Sequence, residues 1–399
     1  MVQRGRRIGG VAALAALAVA VAGVAPARAA QRTITIGTTL ALTGKFEGFY
    51  GVTDKFVKAW EQVVNEQGGV AVKDQGGKLP VKVIYYDDKS DPKTSVKWYE
   101  KLATDDKVDF FLGPPASPIA YAATAVAEKY QIPMVLTPSN DPKIFQRGYK
   151  WIQAAIDEGG NWSVPYFEMQ KKLGKAKSIA FVTEDSLLAL GIVGGAVKNA
   201  QAAGMKVVFE QKAPPDLEDF TPTIARLKAE NPDLVFVPAF APFAVRFAKQ
   251  ALELGLKPRA YHFTAGSTVG FRAPIGPKAD FMTGEAYWVP GLRVGNWQRL
   301  EEVTKRTKID LLEWTYVPIL GYGLEVLQAG IEKAGTLDRA KVMQAIQEVE
   351  FTTTGGKYKA RGNGIGSLNP FPIQIQKGKV VAIWPPEGAT GEYIYPAPW

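Results

Sequence analysis

The sequence alternates regularly between short apolar segments and longer segments of helical periodicity. Segments 33–38, 81–87 and 108–112 have the composition of strands. Residues 49–67 and 118–130, which lie between or after them, carry apolar side chains at helical spacing. Mostly apolar strands separated by helices are typical of a parallel sheet covered on both faces. The sequence therefore predicts an α/β fold.

The alternation restarts near residue 178, which indicates a second lobe of similar plan. Further along, helical segments at 296–308, 317–334 and 338–347 follow one another without strands between them, and short strands close the chain. We interpret this last part as a return to the first lobe and a final crossing to the second. The sequence thus predicts two doubly wound, Rossmann-like lobes joined by three crossovers, with 31–154 and 287–357 in lobe I and 155–286 and 358–399 in lobe II.

Residues 1–30 have the pattern of a secretory signal peptide. Three arginines precede an apolar run over 8–24, and the A-R-A motif at 27–29 offers a cleavage site. The alternative is an uncleaved membrane anchor, for which this run is short and rich in Ala and Gly. Because the chain has no cysteine, lipid anchoring through an N-terminal cysteine is excluded. We expect a protein free in the periplasm and not a lipoprotein.

The charge and composition argue against several classes of partner. Cleavage after residue 30 would remove four arginines and lower the net charge from +9 to +5, spread without a basic block. Such a distribution gives little support to nucleic-acid binding. A chain of this length can bury full cores in two or so domains, and it needs no disulfides.

The residues that enzymes of common classes require are largely missing. His262 is the only histidine, and it lies inside the apolar strand segment AYHFT, where a structural role is expected. Without cysteine, neither a Cys/His nucleophile pair nor a His/Cys zinc site can be assembled. The phosphate-binding P-loop and the G-x-S-x-G elbow are also absent from the sequence. We therefore predict no catalytic residues, no metal and no cofactor.

Acidic residues cluster at Asp87, Asp88 and Asp91, where two readings compete. The cluster could ligate calcium, although its spacing is not that of an EF-hand loop. Asp91 precedes Pro92 and has the position of a helix N-cap, with proline in the first turn. We favour the structural reading.

Small polar residues instead follow two neighbouring predicted strands. The strand at 108–112 ends in Gly-Pro-Pro-Ala-Ser, so that Ser117 is a predicted N-cap of the next helix, and the following strand ends in Thr-Pro-Ser-Asn. Ligands of open parallel sheets bind beyond the carboxyl ends of the strands, and a helix N-terminus favours an anion such as a carboxylate. Capping alone is the competing explanation. The predicted contacts are Pro115, Ala116, Ser117, Ser139, Asn140 and Asp141.

These segments belong to a wider resemblance. The motifs IGTTLALTG (36–44), GPPASPIA (113–120) and GYGLEVLQAGIEKAG (321–335), in this order, resemble the Leu/Ile/Val-binding family of periplasmic solute-binding proteins that feed ABC importers. The resemblance implies a type I fold with a ligand cleft between the lobes, a small-molecule ligand, and ABC permease subunits at the inner membrane as partners. It also implies a monomer and no enzymatic activity.

The resemblance carries residue roles onto the first lobe. Ser117 falls where the family holds the ligand carboxylate, and Ser139 and Asn140 fall in its second ligand loop. That loop is one residue shorter here, which leaves open whether Asn140 or Asp141 makes the contact. Tyr50 matches the aromatic residue that lines the first loop.

The second lobe departs from the family's amino-acid-binding pattern. Amino-acid binders place a tyrosine where this chain has Leu188 and Leu190, and a glutamate in the turn that here reads FTAGSTVG around Gly266. Because a buried ammonium group needs a partner, we expect a carboxylate or amide head on an apolar or aromatic body. Glu184 or Asp185 would have to replace the missing acid if an amino acid binds. The candidate apolar walls are Phe46, Phe49, Leu190, Phe240, Phe243 and Tyr316, with core packing equally expected for Phe46 and Phe243.

Three other functions remain open at this point. The first is branched-chain amino acid binding within the same kind of transport system. The second is a ligand-binding sensor, and the third is a periplasmic hydrolase, for which the sequence lacks a nucleophile–base pair. The sequence identifies neither the ligand nor the permease.

Overall fold

The computed structural model describes residues 1–3, 5, 32–311 and 313–399. Contacts divide the chain into two units, Met1–Arg32 and Thr33–Trp399. The predicted signal peptide lies almost wholly outside the described residues, so it stays a prediction. The second unit carries both lobes.

The first lobe is built on a parallel sheet whose strand order is β4-β1-β5-β6-β7. All its strands except the edge strand β4 are largely buried because helices cover both sides of the sheet, as the apolar pattern predicts. In chain order the elements are β1 (Ile34–Leu40), α1 (Glu47–Tyr50), α2 (Thr53–Glu66), β2 (Val70–Val72), β3 (Gly77–Leu79), β4 (Val81–Asp87), α3 (Pro92–Thr104), β5 (Phe110–Leu112), α4 (Ser117–Tyr130), β6 (Met134–Leu136), α5 (Pro142–Phe145) and β7 (Ile152–Ala154).

The beginning of α3 shows how local chemistry sets an element boundary. Asp91 adopts an extended conformation and its Oδ2 accepts a hydrogen bond from the backbone N–H of Thr94 at 2.7 Å, while Pro92 occupies the first helical position. The predicted N-cap is therefore confirmed. Asp88 also has a structural partner, because its buried carboxylate accepts a hydrogen bond from Thr39 Oγ1 at 2.8 Å.

The second lobe contains a sheet with the strand order β16-β15-β12-β11-β10-β8-β9. The strands from β8 to β12 pair in parallel, whereas β15 pairs antiparallel with β12 and β16. The elements before the chain leaves this lobe are α6 (Val164–Leu173), β8 (Ser178–Glu184), α7 (Leu187–Ala202), β9 (Lys206–Ala213), α8 (Thr221–Glu230), β10 (Leu234–Val237), α9 (Ala241–Glu253), β11 (Ala260–Phe263), α10 (Val269–Ile275) and β12 (Thr283–Ala286).

The chain then returns to the first lobe, as the run of helices predicts. The helix α12 packs on α2, β2 and β6, and only glycine fits at 323 because a Cβ there would clash with the side chain of Thr137. The remaining elements are α11 (Trp297–Thr307), α12 (Ile319–Ala334), α13 (Arg339–Glu348), the hairpin of β13 (Glu350–Thr353) and β14 (Gly356–Lys359), β15 (Phe371–Gln376) and β16 (Lys379–Ala382).

The passages between the lobes bring distant segments together. Ile156, which follows β7, forms a parallel β-bridge with Leu368, which precedes β15. Tyr358 donates a hydrogen bond to the carbonyl oxygen of Ala154. This two-lobed α/β architecture is the predicted one, although the residue boundaries assigned to each lobe stay a prediction. No helix in the described part of the chain is both long and apolar enough to cross a membrane.

Two elements near the passages were not expected. The sequence predicts a crossover near 283–287, yet Thr283–Ala286 form β12 inside the second sheet. Pairing with β11 and β15 on either side holds these four residues in the sheet. The helix α6, which begins just after Trp162, was also missed.

Candidate functional site

Aromatic rings carried by the two lobes meet at their junction. Phe240, the residue that precedes α9 in the second lobe, packs against Phe46 at 4.8 Å and against Phe49 at 5.7 Å between ring centroids. Phe49 and Tyr50 are buried on the short helix α1 of the first lobe. Since Phe46 and Phe49 contact a ring of the other lobe, they connect the lobes.

Three aromatic residues from other segments of the chain complete this group. The Tyr316 ring lies 5.5 Å from Phe49 and 6.2 Å from Trp162, and Tyr287 lies 5.7 Å from Tyr316. The Tyr316 hydroxyl is fixed because it donates to the carbonyl oxygen of Thr264 at 2.8 Å. We call the following set the aromatic cluster: Phe46, Phe49, Tyr50, Trp162, Phe240, Tyr287 and Tyr316.

Phe243 does not belong to the aromatic cluster. Its ring is buried inside the second lobe and packs against Phe220 at 5.0 Å. The core-packing alternative accounts for Phe243, whereas Phe46 makes the contact across the lobes.

The loop after β5 presents its polar groups towards the loop after β6. Ala116 precedes α4 with a φ of +71°, which is strained for a residue with a Cβ, and Pro115 beside it is buried. Ser117 is the first residue of α4 and not its N-cap, so that prediction is wrong. The positive φ moves the cap to Ala116. As a result, Ser117 Oγ accepts a hydrogen bond from the backbone N–H of Asn140 at 3.3 Å.

The loop after β6 contains one polar atom that is left over. Ser139 Oγ donates to the carbonyl oxygen of Pro114, and Asn140 Nδ2 donates to that of Asp157, both at 2.9 Å. Asp141 caps α5 by accepting from the N–H of Lys143. Asn140 Oδ1 is buried without a hydrogen-bond partner among the described residues. Of the two residues left open by the sequence, Asn140 has the unused group.

Hydrogen bonds link the loops after β5 and β6 to Trp162 of the aromatic cluster. The carbonyl oxygen of Asn140 accepts from the N–H of Gly159 at 2.7 Å, and the N–H of Trp162 donates to the carbonyl oxygen of Gly159 at 3.2 Å. A short chain of hydrogen bonds therefore connects the Ser117 loop to the backbone of Trp162, whose ring belongs to the aromatic cluster.

The other predicted contacts occupy the edge of this region. Leu190 is half-buried in the first turn of α7. Gly266 lies in the turn after β11, where a Cβ would come within 2.8 Å of the carbonyl oxygen of Thr283. The structure thus assigns Gly266 a packing reason for being glycine.

The acids proposed as substitutes for the missing glutamate have other partners. Glu184 Oε2 accepts from the N–H of Phe240 at 2.7 Å, and burial raises the pKa of this carboxyl group. The Asp185 side chain is exposed and lies 3.6 Å from Lys212 Nζ.

Sequence reasoning missed the acid that does lie beside the aromatic cluster. Glu285, on β12, is buried, and burial raises its pKa well above the ordinary value while the Trp162 indole opposes that rise. Burial raises the pKa of Tyr316, and the charge of Glu285 raises it further. A single acid within the apolar run GEAYWV is the signal that could have identified it. Within the described residues, no group of three or more acidic or histidine side chains is placed to hold a metal ion.

This arrangement has the chemistry of a binding site. The loops supply hydroxyl, amide and backbone groups, and the aromatic cluster supplies apolar surface. A model of the periplasmic binding protein family matches residues 33–378, and the chain belongs to this family. The family is made up of solute-binding proteins and not of enzymes.

Individual relatives agree with this assignment. The chain is 25% identical over 378 residues to a Leu/Ile/Val-binding protein of Rhizobium johnstonii, a match that covers 91% of this chain and 97% of that protein. Its fold is similar to the leucine binding protein of Thermotoga maritima, with a TM-score of 0.75, 19% identity, and coverage of 87% and 97% of the two chains. It is also similar to a solute binding protein of R. palustris in complex with 4-hydroxybenzoate, with a TM-score of 0.72, 21% identity, and coverage of 88% and 95%.

Proposed function

We propose that this chain is an extracytoplasmic receptor that binds a small carboxylate- or amide-bearing ligand with an apolar or aromatic body and delivers it to an ABC importer. The observation that carries the proposal is the aromatic cluster, which joins rings of both lobes and is linked through Gly159 and Trp162 to the loop of Asn140. The head group would bind at these loops, and the body would lie among the rings.

The roles of individual residues follow from their free groups. The backbone N–H groups of Ala116 and Ser117 lie at the N-terminal end of α4, where the helix dipole favours a negative charge. Asn140 Oδ1 would accept from an amide head, or the side-chain amide would turn to donate to a carboxylate. Phe49, Tyr50, Phe240 and Tyr316 would form the walls.

Branched-chain amino acid binding is the second candidate. Glu285 favours it, because a buried acid beside the aromatic cluster offers a partner to a ligand ammonium, and the names of the relatives agree. Against it stands His262, whose Nε2 lies 3.4 Å from Glu285 Oε1 and competes for the same carboxyl group. The R. palustris neighbour supports an aryl carboxylate in this fold.

The remaining parts of the proposal rest on the family. We infer secretion through the predicted signal peptide, a monomer free of lipid, and docking on permease subunits after the lobes close on the ligand. A sensor role would use the same ligand site, and a hydrolase would need a base beside Ser117 or Ser139, whose hydroxyls instead contact backbone groups of Asn140 and Pro114.

Thermal melting of the purified protein against a ligand panel tests the proposal. The panel contains leucine, isoleucine, valine, short amides, aliphatic acids and aromatic acids. A ligand present at about 1,000 times its Kd stabilises the folded state by about 4 kcal/mol. We expect a large upward shift with aromatic or other apolar carboxylates. A shift with the branched-chain amino acids alone would replace the first candidate by the second, and turnover of a bound compound would contradict both.

A further inference from the structure

The carboxyl group of Glu285 is buried without hydrogen bonds. Its side chain is 1% exposed, and neither of its oxygens has a hydrogen-bond partner among the described residues. Leaving such a group unpaired is costly, because it has lost its water without receiving a replacement. The position beside Tyr316 and Trp162, at the carboxyl end of β12, points to a ligand in the cleft as the missing partner.

The neighbouring histidine fixes which oxygen is free. Thr283 Oγ1 donates to the carbonyl oxygen of Tyr261 at 2.7 Å, so it accepts from His262 Nδ1, which lies 3.0 Å away. A neutral His262 therefore carries its proton on Nδ1 and turns the lone pair of Nε2 towards Glu285 Oε1, at 3.4 Å. Burial lowers the pKa of His262 to about 3, which favours this neutral form. A protonated Glu285 then faces Nε2 with its O–H, and its second oxygen remains an acceptor.

Donors without partners lie next to this acceptor. The indole N–H of Trp162 and the hydroxyl of Tyr287 are both buried and make no hydrogen bond in the described structure. Their rings lie 5.8 Å apart, and Trp162 lies against the Glu285 carboxyl group without completing a hydrogen bond to it. A free acceptor and a free donor side by side match a ligand group that can both donate and accept.

We propose that Glu285 and Trp162 form a hydroxyl-binding pole of the ligand site, which selects an aryl carboxylate with a ring hydroxyl at the end away from its carboxylate. The hydroxyl donates to the free oxygen of Glu285 and accepts from Trp162 Nε1. A ligand ammonium group cannot accept the hydrogen bond that Trp162 Nε1 donates. A ligand ring without a hydroxyl group leaves both Glu285 and Trp162 unpaired. This inference rests on the proposed function, which assigns the carboxylate to the loops of Ser117 and Asn140.

Paired titrations of the whole protein with benzoate and 4-hydroxybenzoate test the inference. The readout is the ratio of the two Kd values within each variant, which does not depend on the total stability of that variant. We expect the wild type to prefer 4-hydroxybenzoate by roughly 10- to 100-fold, the contribution of a buried hydrogen bond. Glu285→Leu should abolish the preference. Glu285→Gln should keep most of it, because the amide donates to His262 and its oxygen still accepts from the ligand.

Further variants keep the test decisive. Trp162→Phe keeps an aromatic ring, although a smaller one, and removes the N–H, so it should reduce the preference even if Glu285→Leu does not fold. Glu325→Gln, which changes a second buried acid in α12, serves as the matched control and should leave the ratio unchanged. Equal Kd values in the wild type would overturn this inference and leave the proposed function standing. Loss of all binding in Glu285→Gln would also overturn it, because that result requires a charged carboxylate. Binding of leucine but of neither aryl acid would overturn the proposed function itself.

Discussion

Ser117 is the residue on which the proposed head-group site depends most. Its Oγ accepts the N–H of Asn140 and remains able to donate to a ligand carboxylate. We expect Ser117→Ala to weaken ligand affinity by roughly tenfold, the contribution of one hydrogen bond to a charged group. Calorimetric titration with the ligand found in the melting panel measures this effect.

Ser178 provides a matched control for that substitution. Its Oγ also accepts a backbone N–H, that of Asp233 at 2.9 Å, but in the second lobe outside the described site. Ser178→Ala should therefore lower the melting temperature about as much as Ser117→Ala does, and it should leave the Kd unchanged. An equal loss of affinity in both variants would assign Ser117 a purely structural role.

Glu325 should make stability depend on pH. Burial raises its pKa to about 7, although Arg299 and the hydrogen bond from the N–H of Thr354 oppose the shift. The unfolded chain releases this proton near pH 4.5, while the folded protein keeps it until about pH 7. Stability is therefore lost as the pH rises through this window, by roughly 3 kcal/mol in total for this group.

Urea unfolding of the wild type and of Glu325→Gln at several pH values measures that contribution. The difference in unfolding free energy between the two proteins should change steadily from pH 4.5 to 7 and then level off. A difference that is constant across the window would show that the carboxyl group ionises alike in both states.

Single residues also show where sequence reasoning reached its limit. The small polar loops at Ser117 and Asn140 could be found because they follow recognisable strands. The N-cap at Ser117 was wrong because a positive φ at Ala116, which the sequence does not indicate, shifts the helix start. Glu285 was not among the predicted site residues because the sequence predicts a crossover where the structure has β12.

At the scale of elements, two adjacent glycines in α7 should respond in opposite ways to alanine. A Cβ at Gly194 would meet no atom within 4 Å, so Gly194→Ala should stabilise the helix by roughly 0.5–1 kcal/mol. A Cβ at Gly195 would clash with the backbone of Gly160, close to Trp162. Gly195→Ala should destabilise by roughly 1–3 kcal/mol.

Chemical unfolding of the two variants distinguishes packing from propensity. If α7 were held by helix propensity alone, both substitutions would stabilise it equally. Because the segment with Gly160 leads to the aromatic cluster, we also expect Gly195→Ala to weaken ligand binding, whereas Gly194→Ala should not.

Elements with strong local sequence signals were predictable, whereas elements that depend on tertiary contacts were not. The start of α3 follows from Asp91 and Pro92 alone. By contrast, β12 has four residues, among them Gly284 and Glu285, and it is a strand because β11 and β15 pair with it on either side. Its identity depends on tertiary contacts that no local pattern contains.

At the scale of the whole molecule, Phe240 connects the two lobes. Its ring contacts Phe46 and Phe49 of the other lobe. We expect Phe240→Ala to weaken ligand affinity by roughly tenfold or more, because the loss of about 1.4 kcal/mol of binding free energy raises the Kd tenfold. Titration calorimetry measures the change.

Phe243, three residues away, is the matched control. It is buried within the second lobe, so Phe243→Ala should cost about 3–5 kcal/mol of unfolding free energy while the folded fraction binds normally. Weaker binding in the Phe243 variant than in the Phe240 variant would contradict the placement of the ligand site between the lobes.

The two-lobed topology was predictable because it rests on repetition. The strand–helix alternation runs through each lobe, and the helices at 296–347 have no strands between them, so their return to the first lobe follows from the pattern. The contacts of the passages were not predictable. Trp162 and Tyr287 lie in segments without periodicity, and only the folded chain brings them to the aromatic cluster.

The proposed ligand of this protein is a small carboxylate with an apolar or aromatic body, bound between the lobes. Calorimetric titration of one protein preparation with benzoate, 4-hydroxybenzoate and leucine tests this proposal. We expect saturable binding of an aryl carboxylate at one site per chain, with no heat of binding for leucine. Saturable binding of leucine at one site, with no binding of either aryl acid, would contradict it.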